Sequence, residues 1–362
     1  MSFSGSYESS DVTFLLQLLH VPDVDIHEKE RLIQSGKKHY SEMLSTERPP
    51  SERYLLLFEQ AMVLQGARLA RHCAQLAAGM LALHPTGKPC AVVSLARAGT
   101  PIGVVVKRAL VRQGVETRHY SISIIRDRGI DAAALDEIRR DFDDDAIHFV
   151  DGWTGKGVIT GELKRSIAAY NQQRNAALPA RLCVLADLAG SADLAATHED
   201  YLIPSAVLNA VVSGLVSRTV LTDEVARSGG FHGAVYLNEL APWDQSRRYV
   251  DALWRQCPEV AEPARPWTES ERARLRQTSE LCVSQLMSEF GLVSPHQVKV
   301  GIGEATRALL RRLPERLLVR DAAVSGVAHL LHLAAQRGVA IEFRPELAYE
   351  AAVMIAAVSS DV

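Results

Sequence analysis

The sequence has little of several features that would each define a class of protein. Its 362 residues carry a net charge of −3, so no overall field directs the chain to nucleic acid or to a membrane surface. No stretch approaches the roughly 18 consecutive apolar residues of a membrane span. The start, MSFSGSYESS, lacks the basic and apolar regions of a secretory signal. We therefore expect a soluble cytoplasmic protein without membrane contact.

Cysteine is also sparse, with five residues and no CxxC spacing. This pattern excludes a zinc ribbon and a disulfide framework, and it is typical of reduced, buried thiols. A cysteine protease would need a cysteine beside a histidine. Cys90 and Cys183 lie in apolar predicted strands, and Cys73 follows His72 on a helix, where adjacent side chains diverge. These patterns therefore bring no cysteine side chain into contact with a histidine side chain.

Short apolar runs alternate with helical stretches through the middle of the chain. Hydrophobic residues make up 47% of the sequence, which is enough for a substantial core. A long amphipathic helix is predicted over residues 51–83. The predicted strands are Cys90–Leu95, His119–Ile125, Ala146–Val150, Leu182–Ala186 and Ala234–Leu237. The predicted helices between them are Ile102–Arg112, Asp131–Asp141, Val158–Asn171 and Ala206–Val216. This alternation predicts an α/β fold with a mostly parallel open sheet and helices on both faces.

Composition also predicts how the chain divides. Residues 1–84 form a helical segment packed on the core, and residues 85–256 form the main α/β domain. Residues 257–268 contain three prolines and read as a linker. Residues 269–362 contain a long helix and then a smaller helix–strand–helix–strand pattern, which predicts a second small α/β domain.

Two turns between a strand and a helix carry the features of anion sites. The segment Ala146–Gly157 (AIHFVDGWTGKG) is an apolar strand that ends in Asp151 and then a glycine-rich turn. Glycines and a helix N-terminus present backbone N–H groups to a phosphate, but the spacing fits neither a Walker A loop nor a GxGxxG motif. The earlier segment Ala91–Gly103 is similar. The alternative is that the glycines only allow the backbone to make these turns and bind no ligand.

The loops together resemble the type I phosphoribosyltransferases. The resemblance assigns the ribose 5-phosphate to the turn after Asp151, pyrophosphate to the earlier loop, and a flexible catalytic loop to Arg126 and Arg128. Asp151 would face the ribose. The predicted phosphate-binding residues are Arg97, Ala98, Gly99, Thr100, Gly152, Thr154, Gly155, Lys156 and Gly157. The family has two adjacent acids where this chain has Asp151 and Gly152, and a final threonine where it has Gly157.

Longer strings narrow the resemblance to one family. FSGSY, SLARAGTPIG, HYSISIIRDRGID and FVDGWTGKG look like the orotate-phosphoribosyltransferase-like family of tellurium-resistance and stress gene clusters, also labelled StiP-type cysteine proteases. The resemblance covers about residues 3–255. It implies a transferase that moves a phosphoribosyl group between phosphoribosyl pyrophosphate and a base, with Mg²⁺ held mainly by the substrate.

The last part of the chain resembles the PELOTA/L7Ae-like RNA-binding fold. The string VGIGEATR at residues 300–307 is similar to the turn that these domains place on kinked RNA. The resemblance gives RNA contacts to Gly303, Glu304, Thr306, Arg307 and Arg311. The alternative is an arginine-rich surface helix at a domain or dimer contact.

Three functions therefore stay open. The leading expectation is a phosphoribosyltransferase with an unknown acceptor base. The first alternative is a non-catalytic regulator that senses a nucleotide and binds structured RNA, and the second is a cysteine protease. A homodimer is left open.

Overall fold

The α/β prediction is confirmed in a computed structural model, which describes residues 3–355. The predicted domain range 269–362 therefore ends in residues that lie outside the described part, as do residues 1 and 2. The strands are β1 Thr13–Phe14, β2 Gln17–Leu18, β3 Cys90–Leu95, β4 Thr117–Ile122, β5 Ile124–Ile125, β6 Gly129–Ile130, β7 Ile147–Thr154, β8 Leu182–Asp187, β9 Leu194–Thr197, β10 Gly233–Ala234, β11 Val298–Val300, β12 Pro314–Val319, β13 Ala340–Phe343 and β14 Ala351–Ile355.

The α-helices begin at residues that their sequence context favours, such as the N-cap Ser51, whose Oγ accepts from the Tyr54 backbone N–H at 3.3 Å. The helices are α1 Ile26–Gln34, α2 Glu52–Leu83, α3 Thr100–Arg112, α4 Ala132–Ile138, α5 Val158–Arg174, α6 Asp223–Ser228, α7 Ser246–Gln256, α8 Glu269–Phe290, α9 Ile302–Arg311 and α10 Ala328–Arg337. Short 3₁₀ turns occupy Tyr40–Glu42, Asp144–Ala146, Pro204–Ala206, Ala210–Val212, Asn238–Trp243, Pro295–Gln297 and Ser325–Val327.

The main sheet has six parallel strands in the order β1-β4-β3-β7-β8-β9. Alternate residues of each strand point to opposite faces, so Val92 packs with helices α2, α3 and α7, whereas Val93 packs with α4 and α5. Both faces are covered, which is why the central strands read as continuous apolar runs. All carboxyl ends of the strands lie along one edge, and all amino ends lie along the opposite edge.

A second sheet forms the small C-terminal unit. Its strand order is β11-β14-β12-β13, with β12 and β13 parallel and the other pairs antiparallel. Helices α9 and α10 cover the face that turns toward the first sheet, and α8 contacts β11 on the other side. The predicted small second α/β unit is confirmed, although β11 and β14 were not expected.

Two local predictions are wrong. The helix expected over Ala206–Val216 is absent, and the segment instead makes two 3₁₀ turns. The strand expected over Ala234–Leu237 is reduced to β10, which pairs with β2. Within residues 3–355, no helix combines the length and the apolar character that a membrane crossing requires.

Candidate active site

The turn after β7 has the local form that the sequence predicts. Gly157 adopts a left-handed conformation, with φ of 74°, as the N-cap of α5. Its backbone N–H donates to Thr154 Oγ1 at 3.2 Å, and this hydroxyl lies 3.4 Å from Ser191 Oγ. The turn is therefore closed partly by its own threonine side chain.

The C-terminal unit covers this turn. The Lys156 ammonium donates to the backbone carbonyl of Val298 at 2.6 Å and to that of Pro295. A Cβ atom added at Gly155 would lie 3.2 Å from both Glu304 Cγ and the Val300 carbonyl oxygen. The C-terminal unit thus packs on Gly155 and Lys156, and the phosphate-binding role of this turn stays a prediction.

Helix α9 also closes the space in front of Asp151. Gly303 packs so tightly on the Trp153 indole that an added Cβ would come within 2.4 Å of the ring, and the Arg307 guanidinium lies 4.2 Å from the ring centre. The free space beside Trp153 and Glu304 is about 10 Å³, close to that of one water molecule.

Asp151 is enclosed in this packing, with 6% of its surface exposed. Burial raises the pKa of its carboxyl to about 6, and the nearby Arg307 guanidinium opposes that rise. Its carboxylate accepts from the backbone N–H of Gly152 at 2.8 Å. The predicted ribose-facing acid is therefore a buried group at the contact between the two units.

The predicted pyrophosphate loop is likewise engaged inside the protein. The buried Arg97 side chain donates to the Val216 carbonyl at 2.7 Å and pairs with Glu47 at 2.5 Å. Thr100 Oγ1 lies 2.8 Å from Ser121 Oγ. At Gly99, an added Cβ would lie 2.5 Å from the Val150 carbonyl oxygen, so this glycine permits close packing of helix α3 on strand β7. Ala98 packs at the edge of the same core.

The two arginines of the expected catalytic loop lie at the surface. The Arg126 guanidinium pairs with Asp127 at 3.0 Å, and that of Arg128 pairs with Glu42 at 2.9 Å. They pair with acidic residues rather than with any group of the turn after β7.

Four of the five predicted RNA-contacting residues lie against the first domain, whereas Thr306 faces His329 of α10 in its own unit. Thr306 is buried, and its Oγ1 donates to the Ile302 carbonyl at 2.7 Å. Arg307 pairs with Glu304 at 2.8 Å, and the Arg311 Nε donates to Asn209 Oδ1 at 3.1 Å. Gly303 packs on the Trp153 ring, so all five predicted residues make contacts within the protein. Their role in RNA contact stays a prediction.

The opposite edge of the main sheet holds a cluster that the sequence analysis missed. Among residues 3–355, one group of three histidine, cysteine or acidic side chains converges closely enough to hold a metal ion, and it consists of His84, Cys90 and His148. One ligand atom of each lies within 4.8 Å of the others. Cys90 is the first residue of β3, His148 is the second residue of the neighbouring β7, and His84 ends α2.

Hydrogen bonds fix the orientation of the two imidazoles. His84 Nε2 lies 2.9 Å from the Lys88 carbonyl oxygen, which can only accept, so Nε2 carries the proton. His84 Nδ1 then offers a lone pair and lies 3.2 Å from His148 Nε2. His148 Nδ1 is buried and has no partner among the described residues.

Burial dominates the electrostatics of this cluster. Desolvation raises the pKa of Cys90 to about 12 and lowers the pKa of His148 to about 3. The resting pair is therefore a neutral thiol beside a neutral imidazole. Two imidazole nitrogens and one sulfur are also ligands that Zn²⁺ prefers.

The other four cysteines are buried as well. Burial raises the pKa of Cys73, Cys257 and Cys282, and that of Cys183 to about 12. Cys183 lies on β8, in the same sheet as Cys90, and provides a matched control for it.

Comparison with known proteins gives the class first. Residues 5–254 match the family model described as tellurite-like stress resistance cysteine protease StiP, and residues 277–357 match the PELOTA RNA binding domain. The cysteine protease StiP of Acinetobacter baylyi is 42% identical over 340 residues, covering 91% of this chain and 88% of that protein. The chain therefore belongs to the StiP family and carries a PELOTA-type region.

Solved structures add little to this. The hypoxanthine phosphoribosyltransferase of Trypanosoma cruzi is 14% identical over 40% of this chain and 82% of its own, with a TM-score of 0.26. The enzyme of Leishmania tarentolae, solved with GMP, is 17% identical over 36% of this chain and 70% of its own, also with a TM-score of 0.26. Similarity at this level carries no argument about activity.

The expected phosphoribosyl transfer is therefore wrong. The family and the 42% identical relative are named cysteine proteases, which are hydrolases and not transferases. The structure supplies a physical reason, because α9 and β11 occupy the turn that would hold the sugar phosphate. Phosphoribosyl pyrophosphate is therefore no longer expected as a partner. The expected binding of Mg²⁺ stays a prediction.

Proposed function

We propose that this protein is a cysteine protease whose nucleophile is Cys90, with His84 and His148 as the proton-accepting pair. The observation that carries the proposal is the convergence of this thiol and the two imidazoles within 4.8 Å. A cysteine nucleophile needs a neighbouring base that is itself held by a further group. Here the Lys88 carbonyl holds the His84 ring at 2.9 Å.

Once the site has opened and water has reached Cys90, the chemical reaction begins with a proton transfer. The Cys90 thiol gives its proton to the imidazole pair, and the positive charge is shared across the hydrogen bond between His84 and His148. The thiolate attacks the peptide carbonyl carbon, so that a C–S bond forms, the C–N bond breaks and the imidazolium proton passes to the leaving amine. Water then hydrolyses the thioester and restores the thiol.

The proposal includes an opening step, because only 1% of the Cys90 surface is exposed. Cys90 belongs to the main core, and residues 85–89, which precede it, are the segment that we propose moves; Gly87 in this segment has no neighbouring atom within 4 Å of an added Cβ. Ion pairs of Lys88 with Asp143 at 3.0 Å and Asp145 at 3.1 Å tether the turn. These pairs are exposed and contribute little stability, so the turn can lift at small cost.

Hydrolysis of casein by the full chain tests the assignment. We expect Cys90→Ser to lower the rate by about 10³-fold or more, because the hydroxyl is a far weaker nucleophile in a site built for a thiol. Cys183→Ser makes the same change on β8, two strands away in the sheet, and should leave the rate unchanged. Equal loss in both variants, or full activity of Cys90→Ser, would refute the assignment. If the wild type shows no protease activity but binds one zinc ion per chain, and Cys90→Ser loses that zinc, the cluster is a metal site instead.

The match of residues 277–357 to the PELOTA RNA binding domain favours a second activity. We propose that the C-terminal unit binds folded RNA and that RNA and the first domain compete for α9. The competition follows from the packing of Arg307 on Trp153, 4.2 Å from the ring centre.

Filter binding with a radiolabelled RNA stem-loop tests this competition. Trp153→Ala should strengthen RNA binding by the full chain because it frees Arg307. Absence of binding by both the wild type and the variant would rule out the activity.

A further inference from the structure

A large cavity lies where three parts of the chain meet. Its volume is about 690 Å³, within the range of small-molecule sites. Residues 24–54, residues 207–211 with Arg218, and the ends of α9 and α10 line it. It is remote in sequence from His84, Cys90 and His148, and none of these three lines it.

Positive charge dominates the lining. Five cationic side chains face the cavity, and two carboxylates accompany them. The cations are Lys29, Arg48, Arg218, Arg311 and Arg337, and the carboxylates are Asp25 and Glu47. Both carboxylates are already engaged elsewhere.

Glu47 pairs with Arg97 at 2.5 Å and accepts from the Ala210 backbone N–H at 3.1 Å. Asp25 is the N-cap of α1 and accepts from the His27 backbone N–H at 2.9 Å. Glu47 also lies near Arg311 and Arg218 and offsets part of their charge, so the lining keeps an excess of positive charge.

Neutral oxygens are the partners of the inner cations. Lys29 Nζ donates to Ser45 Oγ at 3.0 Å, and Arg311 Nε donates to Asn209 Oδ1 at 3.1 Å. Arg218 donates to the Tyr40 carbonyl at 2.7 Å, and Arg337 donates to the Arg312 carbonyl at 3.0 Å. Five cations with two carboxylates leave an excess of positive charge, which a bound anion would offset.

Burial, together with the repulsion among these cations, lowers the pKa of two of them. Burial and the nearby Arg218 and Arg311 lower the pKa of Lys29 to about 7. Burial, with Arg97 next, lowers the pKa of Arg311 to about 9. A bound anion would relieve both effects.

A second observation points independently to a ligand. Tyr54 lines the cavity and is 7% exposed, yet its hydroxyl has no hydrogen-bond partner among the described residues. A buried hydroxyl without a partner costs free energy that a ligand oxygen could recover. Beside it the wall is apolar, with Leu240, Leu310 and Leu333.

From this cavity we infer a binding site for a small molecule that joins a phosphate or diphosphate to an apolar or aromatic body, as a nucleotide does. The guanidinium groups and Lys29 take the phosphate oxygens, because planar forks and ammonium groups form strong charge-assisted bonds to them. The leucine wall takes the body, and the Tyr54 hydroxyl donates to an oxygen of the ligand.

Titration calorimetry of the full chain at about pH 6.5 tests the site, with ADP, AMP, adenosine and inorganic phosphate as probes. ADP should bind most tightly and adenosine least, since the charge supplies most of the attraction. Lys29→Gln should weaken ADP binding about tenfold, whereas Lys37→Gln, on the exposed surface after α1, should leave it unchanged.

Tyr54→Phe separates ligand binding from folding. It removes an unpaired hydroxyl, so thermal stability should hold or rise, while ADP binding should weaken by about fivefold to tenfold. No measurable binding of ADP and AMP would overturn the site. Equal binding of adenosine and ADP, or equal weakening by Lys29→Gln and Lys37→Gln, would overturn its selectivity for anions. These binding measurements do not depend on protease activity, so they test the cavity separately from the proposed protease.

Discussion

The two edges of the main sheet differ in what covers them. At the carboxyl edge, the glycine-rich turn after β7 is sealed by α9 and β11, and about 10 Å³ of space remains beside Trp153. At the amino edge, the cluster of His84, Cys90 and His148 lies beside the short turn that joins α2 to β3, and exposed ion pairs of Lys88 hold this turn. A folded domain covers one edge, whereas a short turn lies beside the cluster at the other.

This contrast explains why the sequence indicates the wrong chemistry. Open parallel sheets usually bind ligands at the carboxyl ends of their strands, and the motifs at that edge follow the rule. In this protein the C-terminal unit uses the same turn as a docking surface. Four predictions test the difference between the edges, from the largest expected effect to the smallest.

Removing the base should affect activity most. His148→Gln should lower casein hydrolysis by about 10²–10⁴-fold, because it breaks the imidazole pair that accepts the thiol proton. His119→Gln is the control, since His119 is a buried histidine of β4 that bonds Ser94 and the Asp11 carbonyl, away from Cys90. Similar losses in both variants at equal folded fraction, measured by circular dichroism, would contradict a catalytic imidazole.

Opening the carboxyl edge should affect stability instead. Trp153 is 8% exposed and packs on Gly303 and Arg307. Trp153→Ala should lower the free energy of unfolding by about 3–5 kcal/mol in urea melts. Casein hydrolysis per folded molecule should stay within about twofold of the wild type. A specific loss of activity would mean that this edge takes part in catalysis.

The pH dependence of stability should report the domain contact. The Asp200 carboxylate accepts from the backbone N–H groups of Ile302 and Glu350, both at 2.9 Å, and burial raises its pKa to about 6. An unfolded aspartate has a pKa near 3.9, so the folded state holds the proton more tightly. Its stabilising contribution is therefore complete below about pH 4 and is lost as the pH rises through about 6.

Asp200→Asn should remove that part of the dependence. Between about pH 4 and 6 the wild type should lose about 1–3 kcal/mol relative to the variant, measured by urea unfolding at each pH. Parallel stability curves for the two proteins would show that the carboxyl titrates normally.

Loosening the turn at the amino edge should have the smallest effect. Lys88→Gln removes the ion pairs to Asp143 and Asp145 while keeping the backbone carbonyl that orients His84. The rate at which iodoacetamide labels Cys90 should rise about twofold to fivefold, in line with the small energy of exposed ion pairs. A slower rate would argue against this turn as the cover.

Much of the fold is predictable because it depends on local pattern. The long helix expected over residues 51–83 is observed as Glu52–Leu83, and the strand Cys90–Leu95 has the expected bounds. The segment Ala206–Val216 misleads because its apolar residues are buried as an irregular loop, which gives no period that separates it from a helix.

The candidate site was harder to predict because its residues meet across strands. Val92 pairs with His148 in the sheet, and this register brings Cys90 and His148 together although 58 positions separate them. Spacing along the chain does not encode that register. The signal that could have found the pair is a histidine and a cysteine that both begin strands predicted to be parallel.

The most direct test of the Cys90 assignment is peptide mapping after stepwise alkylation of the full chain with iodoacetamide, with casein hydrolysis followed in parallel. The account predicts that activity falls in proportion to the fraction of Cys90 that carries the carbamidomethyl group, while Cys183 stays unmodified. Full alkylation of Cys90 with intact activity, or loss of activity while Cys90 is still free, would contradict it.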